Sequence, residues 1–324
     1  MILIFSQRVD LNTRIVLAYL NYFNEDFEVF LEDDSIELEY VIEDKKFDYE
    51  VFKNRSFVCH SSEIKSVWYR RTDIQVSRLG SGVFTQEGLE TYAKNHIKTR
   101  YEQIQKCLHT KRCLGKFGFG NFNKIEFLET CASLNIEIPK TLITGSKKKL
   151  MEFWKACNYQ AITKSLAAPF EYIEHNDLGE VSGYRLGYTV SVDKDTIEIL
   201  PDRFDLSLFQ EKLDKQFEIR TIYINKKTFS QAIFSQSRES ASLDYRLGYD
   251  SGMRLCNYTL PPEIEDQVQQ LMDELDLNFG SIDMVVTKEN NYVFLEINPN
   301  GQYGAVSEMT NSNVDFEVAK FLIS

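Results

Sequence analysis

The chain has 324 residues, 43% hydrophobic and 27% charged, with a formal net charge of −12. That length allows two or three packed units at roughly 100–200 residues each, and the apolar content excludes a disordered chain. The acidic balance disfavours nucleic acid, whose phosphates repel it, and no apolar run reaches the ~20 residues of a membrane span. The opening MILIFSQRVD is too short in apolar residues for a signal-peptide core. Six cysteines (Cys59, Cys107, Cys113, Cys131, Cys157 and Cys256) form no CxxC pair and read as free thiols of a cytoplasmic protein. His60, His96, His109 and His175 show no metal-ligand spacing.

In chain order, residues 2–5 (ILIF) predict a buried strand and residues 12–23 a helix. Strands follow near 27–31, 37–42 and 46–52, then KSVWYRR at 65–71 with Arg70 and Arg71 at its end. Over 85–108, Leu89, Ala93, Ile97, Tyr101, Ile104 and Leu108 recur at helical spacing. This alternation predicts an N-terminal α/β domain over 1–115. The segment GKFGFG at 115–120 lacks the order of a phosphate loop and reads as a linker. Beyond it come a helix (122–134), a strand (139–144), a helix (146–156) and the strand QAITK ending at Lys164. Residues 165–185 are polar and Gly-containing, so a mobile loop is expected. Strands are expected at 186–192, 217–225 and 228–236, then a helix after Pro261-Pro262, a hairpin over 280–298 and a terminal helix over 313–323. The domains expected are thus 1–115, a central one at 121–205 and a C-terminal one at 206–324.

The chemistry concentrates in GSIDMVVTKENNYVFLEINPNGQ. A turn at Glu289-Asn290 pairs Asp283 with Glu296, whereas a turn at Asn290-Asn291 pairs it with Asn298. In either register Asp283, Glu296 and Asn298 share one face, because strand side chains alternate. Facing carboxylates repel unless a cation neutralises them, and magnesium is the hard cation that carboxylates share with phosphates. Phe294, Leu295 and Ile297 place this face beside a core.

The D…E-x-N ending resembles the metal site of ATP-grasp ligases. On that resemblance, Lys124 and Lys164 match the two nucleotide lysines. Phe209 to Leu213, including Gln210, Glu211 and Lys212, match the hinge whose backbone holds adenine. Glu218 matches the ribose carboxylate, and Arg220 and Arg246 match the arginines that grip the transferred phosphoryl group. SVWYRR, FQEKLDKQFEIR, Asp244-Tyr245-Arg246 and FLEINPNGQY together resemble the graspetide (microviridin-type) ligases over essentially the whole chain. The resemblance implies an ATP-grasp fold of α/β and α+β parts, with ATP and Mg2+ as cofactors. It further implies joining of Asp or Glu side chains of a ribosomal precursor peptide to Ser, Thr or Lys side chains, and dimerisation. Arg70 and Arg71 are then expected to hold acidic parts of the peptide. Two departures stand out: Tyr245 replaces the expected tryptophan, and no compact Gly-rich loop follows Lys164. The rival readings are a ligase that adds glutamate or another amino acid, and a nucleotide-binding module that releases no ADP.

Overall fold

A computed structural model of the chain describes residues 1–44, 46–71, 74–76, 89–117, 123–166, 171–175, 181–186, 189–237, 243–245 and 253–324. The opening run forms β1 (Ile2–Phe5), with all four side chains buried. A strand apolar on both faces must be covered on both. It pairs in parallel with β2 (Phe27–Phe30) and β6 (Ser66–Tyr69), and β8 (Arg112–Leu114) lies beyond β6. On one face Ile2, Ile4 and Trp68 pack against Val16 and Leu20 of α1 (Leu11–Tyr22) and Val318 and Leu322 of α8 (Val314–Ile323). On the other, Leu3, Phe5 and Val67 meet Ile104 and Leu108 of α2 (Leu89–His109). Asp10 caps α1, accepting from the Thr13 amide at 2.8 Å.

A second sheet has the order β5-β4-β3-β7, from β3 (Ser35–Glu43), β4 (Lys46–Lys53), β5 (Ser56–His60) and β7 (Gln75–Val76). The sequence reading missed β5. Asn54 and Arg55 both take positive φ, 50° and 69°, the geometry of a two-residue hairpin turn, but an Asn-Arg pair does not advertise it as Asn-Gly would.

The central sheet has the order β13-β10-β14-β9. Its strands are β9 (Thr141–Ser146), β10 (Ala161–Lys164), β13 (Val190–Val192) and β14 (Arg203–Glu211). Helices α3 (Lys124–Ser133), α4 (Lys147–Ala156) and α5 (Lys194–Ile199) accompany it. Because β14 pairs with both β9 and β10, this sheet runs to Glu211, past the expected boundary at 205. Within the expected mobile loop, β11 (Glu171–His175) and β12 (Val181–Leu186) instead pair as an antiparallel hairpin.

The last sheet is antiparallel, in the order β17-β16-β15-β18-β19. It comprises β15 (Lys215–Ile224), β16 (Lys227–Ile233), β17 (Leu255–Tyr258), β18 (Phe279–Thr287) and β19 (Tyr292–Asn298). Phe127 and Leu128 of α3, and Val268, Leu271 and Met272 of α6 (Pro262–Glu274), cover Ile282, Met284 and Phe294. Ile222 and Phe279 instead join the core beneath α1, α7 (Gly304–Met309) and α8, which ties this sheet to the N-terminal one. Among the described residues no helix is long and apolar enough to cross a membrane.

Candidate nucleotide and metal site

On β18 and β19 Asp283 lies opposite Glu296, and Ser281 opposite Asn298. Of the two registers the turn residues allowed, this one brings the carboxylates face to face, by an unexpected route. The connection spans residues 288–291, with Asn290 at φ 66°. The ladder then slips between Asp283 and Met284, which pairs with Phe294, so Leu295 is the extra residue of a bulge.

Each carboxylate has a cation of the chain beside it. Arg220 stands opposite Asp283 on β15, its Nη1 3.6 Å from Asp283 Oδ2. Lys124 Nζ lies 3.4 Å from Glu296 Oε2 and donates to the Ser165 carbonyl at 2.9 Å. The repulsion that suggested a metal is therefore partly offset within the protein. The case for magnesium rests instead on the donor set, two carboxylates and one amide oxygen. Among the described residues no group of three or more His, Cys, Asp or Glu could hold a metal alone. A donor set of two carboxylates and one amide suits an ion that keeps several waters and shares its remaining positions with phosphate oxygens. Asn298 Oδ1 accepts from the Asn300 amide at 3.0 Å, which fixes the carboxamide and leaves that oxygen a second lone pair.

Asp283, Glu296, Asn298 and Arg220 line a cavity of about 290 Å³ with Gln210 to Leu213, Lys164 and Glu218, whereas Lys124 is not among its lining residues. Ile162, Ile219, Ile233 and Met284 supply apolar wall, the setting a flat heterocycle needs. The hinge is the connection from β14 to β15. The Gln210 side chain is spent on Thr141 Oγ1 at 3.0 Å, and the Glu211 carboxylate accepts from the Lys140 amide at 2.8 Å. The amides of Glu211 and Lys212 donate to the carbonyls of Lys140 and Gln160, each at 3.0 Å. Leu213 carries the third hinge amide.

Glu218 is 5% exposed. Burial pushes its carboxyl above the ordinary range, against the pull of the Lys215 ammonium. Lys215 bonds this carboxylate and the Leu243 carbonyl, the latter at 3.1 Å. The sequence reading missed Lys215, because residues three apart on a strand point to opposite faces. A register slip between Lys215 and Phe217 cancels that rule, and both side chains line the cavity.

Arg220 Nη1 donates to Tyr245 Oη at 2.6 Å and its Nη2 to Ser281 Oγ at 3.2 Å. The aromatic swap at Tyr245 is thus not neutral, since an indole offers no acceptor for a guanidinium. Arg246 lies outside the described residues.

Arg70 is a correction. It is 0% exposed, enclosed by the Asn300–Gly301 turn, Asp10 and the Tyr303 ring, so it cannot touch a peptide. Arg71 differs: its side chain is 26% exposed, and its Nε is 3.0 Å from Asp10 Oδ2. Both guanidinium groups thus lie against the Asp10 carboxylate.

A five-stranded antiparallel sheet bearing an acidic hairpin, a strand-end lysine and a hinge to a smaller sheet describe the ATP-grasp fold, and comparison with solved structures agrees along the whole chain. A Chryseobacterium gregarium RiPP-associated ATP-grasp ligase, solved with ADP and a leader and core peptide, superposes with TM-score 0.76 at 21% identity, over 99% of this chain and 94% of that one. The macrocyclase MdnC of Microcystis aeruginosa, solved with precursor peptide MdnA, gives 0.73 at 22% identity, over 100% and 99%. A RimK domain ATP-grasp protein of Sphaerobacter thermophilus is more distant, at TM-score 0.52 and 10% identity over 100% and 99%. No protein-family model matches the sequence, and no curated protein does.

Proposed function

We propose that the chain is an ADP-forming ligase that crosslinks a ribosomally made precursor peptide, joining Asp or Glu side chains to Ser, Thr or Lys side chains. The observation that carries this reading is one cavity lined by Gln210 to Leu213, the buried Glu218, Lys164, Arg220 and the Asp283–Glu296–Asn298 trio. Support for a peptide substrate comes from the Chryseobacterium ligase and MdnC, which were solved with precursor peptides.

In the reaction a peptide carboxylate oxygen attacks the γ-phosphorus of ATP, the bond to the bridging oxygen breaks and ADP leaves. A hydroxyl or amine of the same peptide then attacks the acyl phosphate carbonyl, loses its proton and expels phosphate. Each crosslink consumes one ATP and removes one water from the peptide. Lys164 and Arg220 offset charge on the transferred phosphoryl group, and Arg246 is assigned the same work. Leu213 donates to the adenine edge and Glu218 accepts from ribose hydroxyls. Asp283, Glu296 and Asn298 would hold magnesium, which supplies neutralisation of the β- and γ-phosphates when bound. Lys124 and Arg220, which face Glu296 and Asp283, are the chain's own cations beside these ligands and would offset phosphate charge there. Arg71, the partly exposed member of the pair, would hold an acidic side chain of the peptide. A homodimer and a cytoplasmic setting belong to the same reading, and sedimentation reads the first.

The test is mass spectrometry of the cognate peptide after incubation with enzyme, ATP and magnesium. The expected product is lighter by one water per crosslink, and replacing the acceptor Ser or Thr abolishes that loss. A gain of one amino-acid residue would favour an amino-acid ligase instead, and an unchanged cognate peptide would overturn catalysis on peptides.

A further inference from the structure

The metal trio ends at Asn298, and the chain turns sharply after it. Two bonds shape the turn from within. The Gly301 amide donates to the Asn298 carbonyl at 3.0 Å, and the Asn300 amide to Asn298 Oδ1 at 3.0 Å. Beneath the turn lies Ser281, the cross-strand partner of Asn298. A Cβ at Gly301 would overlap Ser281 Oγ, so only glycine lets the turn sit this close to β18. That same Oγ accepts from Arg220. Any shift of the turn is therefore felt by both the Asn298 carboxamide and the arginine facing Asp283.

What holds the turn from outside is Arg70, more than two hundred residues away in sequence. Its Nη1 donates to the Asn300 carbonyl at 3.3 Å and the Gly301 carbonyl at 3.1 Å. The guanidinium lies 4.8 Å from the centre of the Tyr303 ring, a cation–π distance. Its Nη2 is 3.4 Å from Asp10 Oδ2, an ion-pair separation. Asp10 is itself fixed, because its Oδ1 accepts from the Thr13 amide at the start of α1. A wholly buried arginine is costly unless charge and hydrogen bonds compensate it; the groups that meet this one are the two turn carbonyls, the Tyr303 ring and Asp10, the cap of α1, while its Nε and Nη2 make no hydrogen bond among the described residues.

We propose that Arg70 is a positioning residue for the metal: the grip of its Nη1 on the Asn300 and Gly301 carbonyls, braced by Asp10 and Tyr303, holds the Asn298 carboxamide in line with Asp283 and Glu296. The N-terminal sheet thereby completes a site whose ligands all lie in the last sheet. The proposal rests on the metal reading of that trio. Lysine cannot replace arginine here, since an ammonium that met the two carbonyls would lack the second terminal nitrogen that faces Asp10 and the planar group that lies over the Tyr303 ring. Partners that orient a metal ligand commonly change metal affinity by about 10–100-fold when lost.

The experiment is calorimetry on full-length Arg70→Lys, with adenosine, with ADP in EDTA and with ADP across a magnesium titration. The expected result is a magnesium requirement for tight ADP binding raised about 10–100-fold, with adenosine affinity and magnesium-free ADP affinity at wild-type values. A merely structural role would lower all three together, and that outcome, or an unchanged magnesium requirement, overturns the proposal. If Arg70→Lys does not fold, Asp10→Asn is measured in the same way. It keeps the cap on α1 while removing the brace, and must raise the magnesium requirement selectively. Glu296→Gln separates the two claims. If it leaves the magnesium requirement unchanged, the metal reading itself has failed, whatever Arg70→Lys does.

Discussion

Glu218→Gln tests whether the buried carboxylate reads ribose. A hydrogen bond to a charged group contributes about 1.5–3 kcal/mol and a neutral one about 0.5–1.5 kcal/mol. The substitution keeps shape and one acceptor but removes charge, so the expected loss is the difference, about 1–1.5 kcal/mol. At 5% exposure solvent screens little of it. One decade of affinity corresponds to about 1.4 kcal/mol, so adenosine should bind roughly 5–13-fold more weakly. Adenine, which lacks ribose, should bind as before. The burial that raises the Glu218 pKa adds a second signature. A raised carboxyl protonates at higher pH than usual, so wild-type adenosine affinity should begin to fall on acidification above the ordinary carboxylate range. The variant should lack that step. Isothermal calorimetry with adenine and adenosine across pH reads both effects. Equal loss of adenine and adenosine affinity, or no loss of either, would refute the ribose assignment.

Lys164→Ala should weaken ATP by about 13–150-fold, the worth of one charge-assisted contact of 1.5–3 kcal/mol, while adenosine affinity stays within about twofold, a few tenths of a kcal/mol. Equal losses by calorimetry would place that lysine away from the phosphates. Tyr245→Phe should lower kcat for ADP release by about tenfold, the low end for a charged hydrogen bond, because Arg220 keeps Ser281 and Asp283 as neighbours. ADP affinity should be little changed and Tyr245→Trp should not rescue, so full activity in either variant would remove the hydroxyl from the mechanism.

What the sequence made legible follows from the physics of alternation. Asp283, Glu296 and Asn298 are spaced so that any hairpin register puts them on one face, and the structure has them together in one cavity. The buried β1 and the stripe of α2 were legible for the same reason: a period repeats within a dozen residues and needs no distant partner. Arg70 was misjudged because its surroundings, Asp10 and the 300–303 turn, lie at the two ends of the chain, and no local pattern reports a contact closed by folding. The omission of Lys215 and the unexpected route to the Asp283–Glu296 pairing have one cause. Lys215 and Glu218 should point apart by strand periodicity, and the pairing of Asp283, rightly among the two expected, should follow from the length of its turn. Both inferences assume an unbroken ladder. A register slip near Gln216 and another at Leu295 break it, and these slips turn Lys215 toward Glu218 and Asp283 toward Glu296. Bulges gather beside active sites because an inserted residue re-aims a side chain without dismantling the sheet. The period-two rule therefore holds through the core strands of this protein and fails beside its carboxylates, where the ladder was interrupted to aim them.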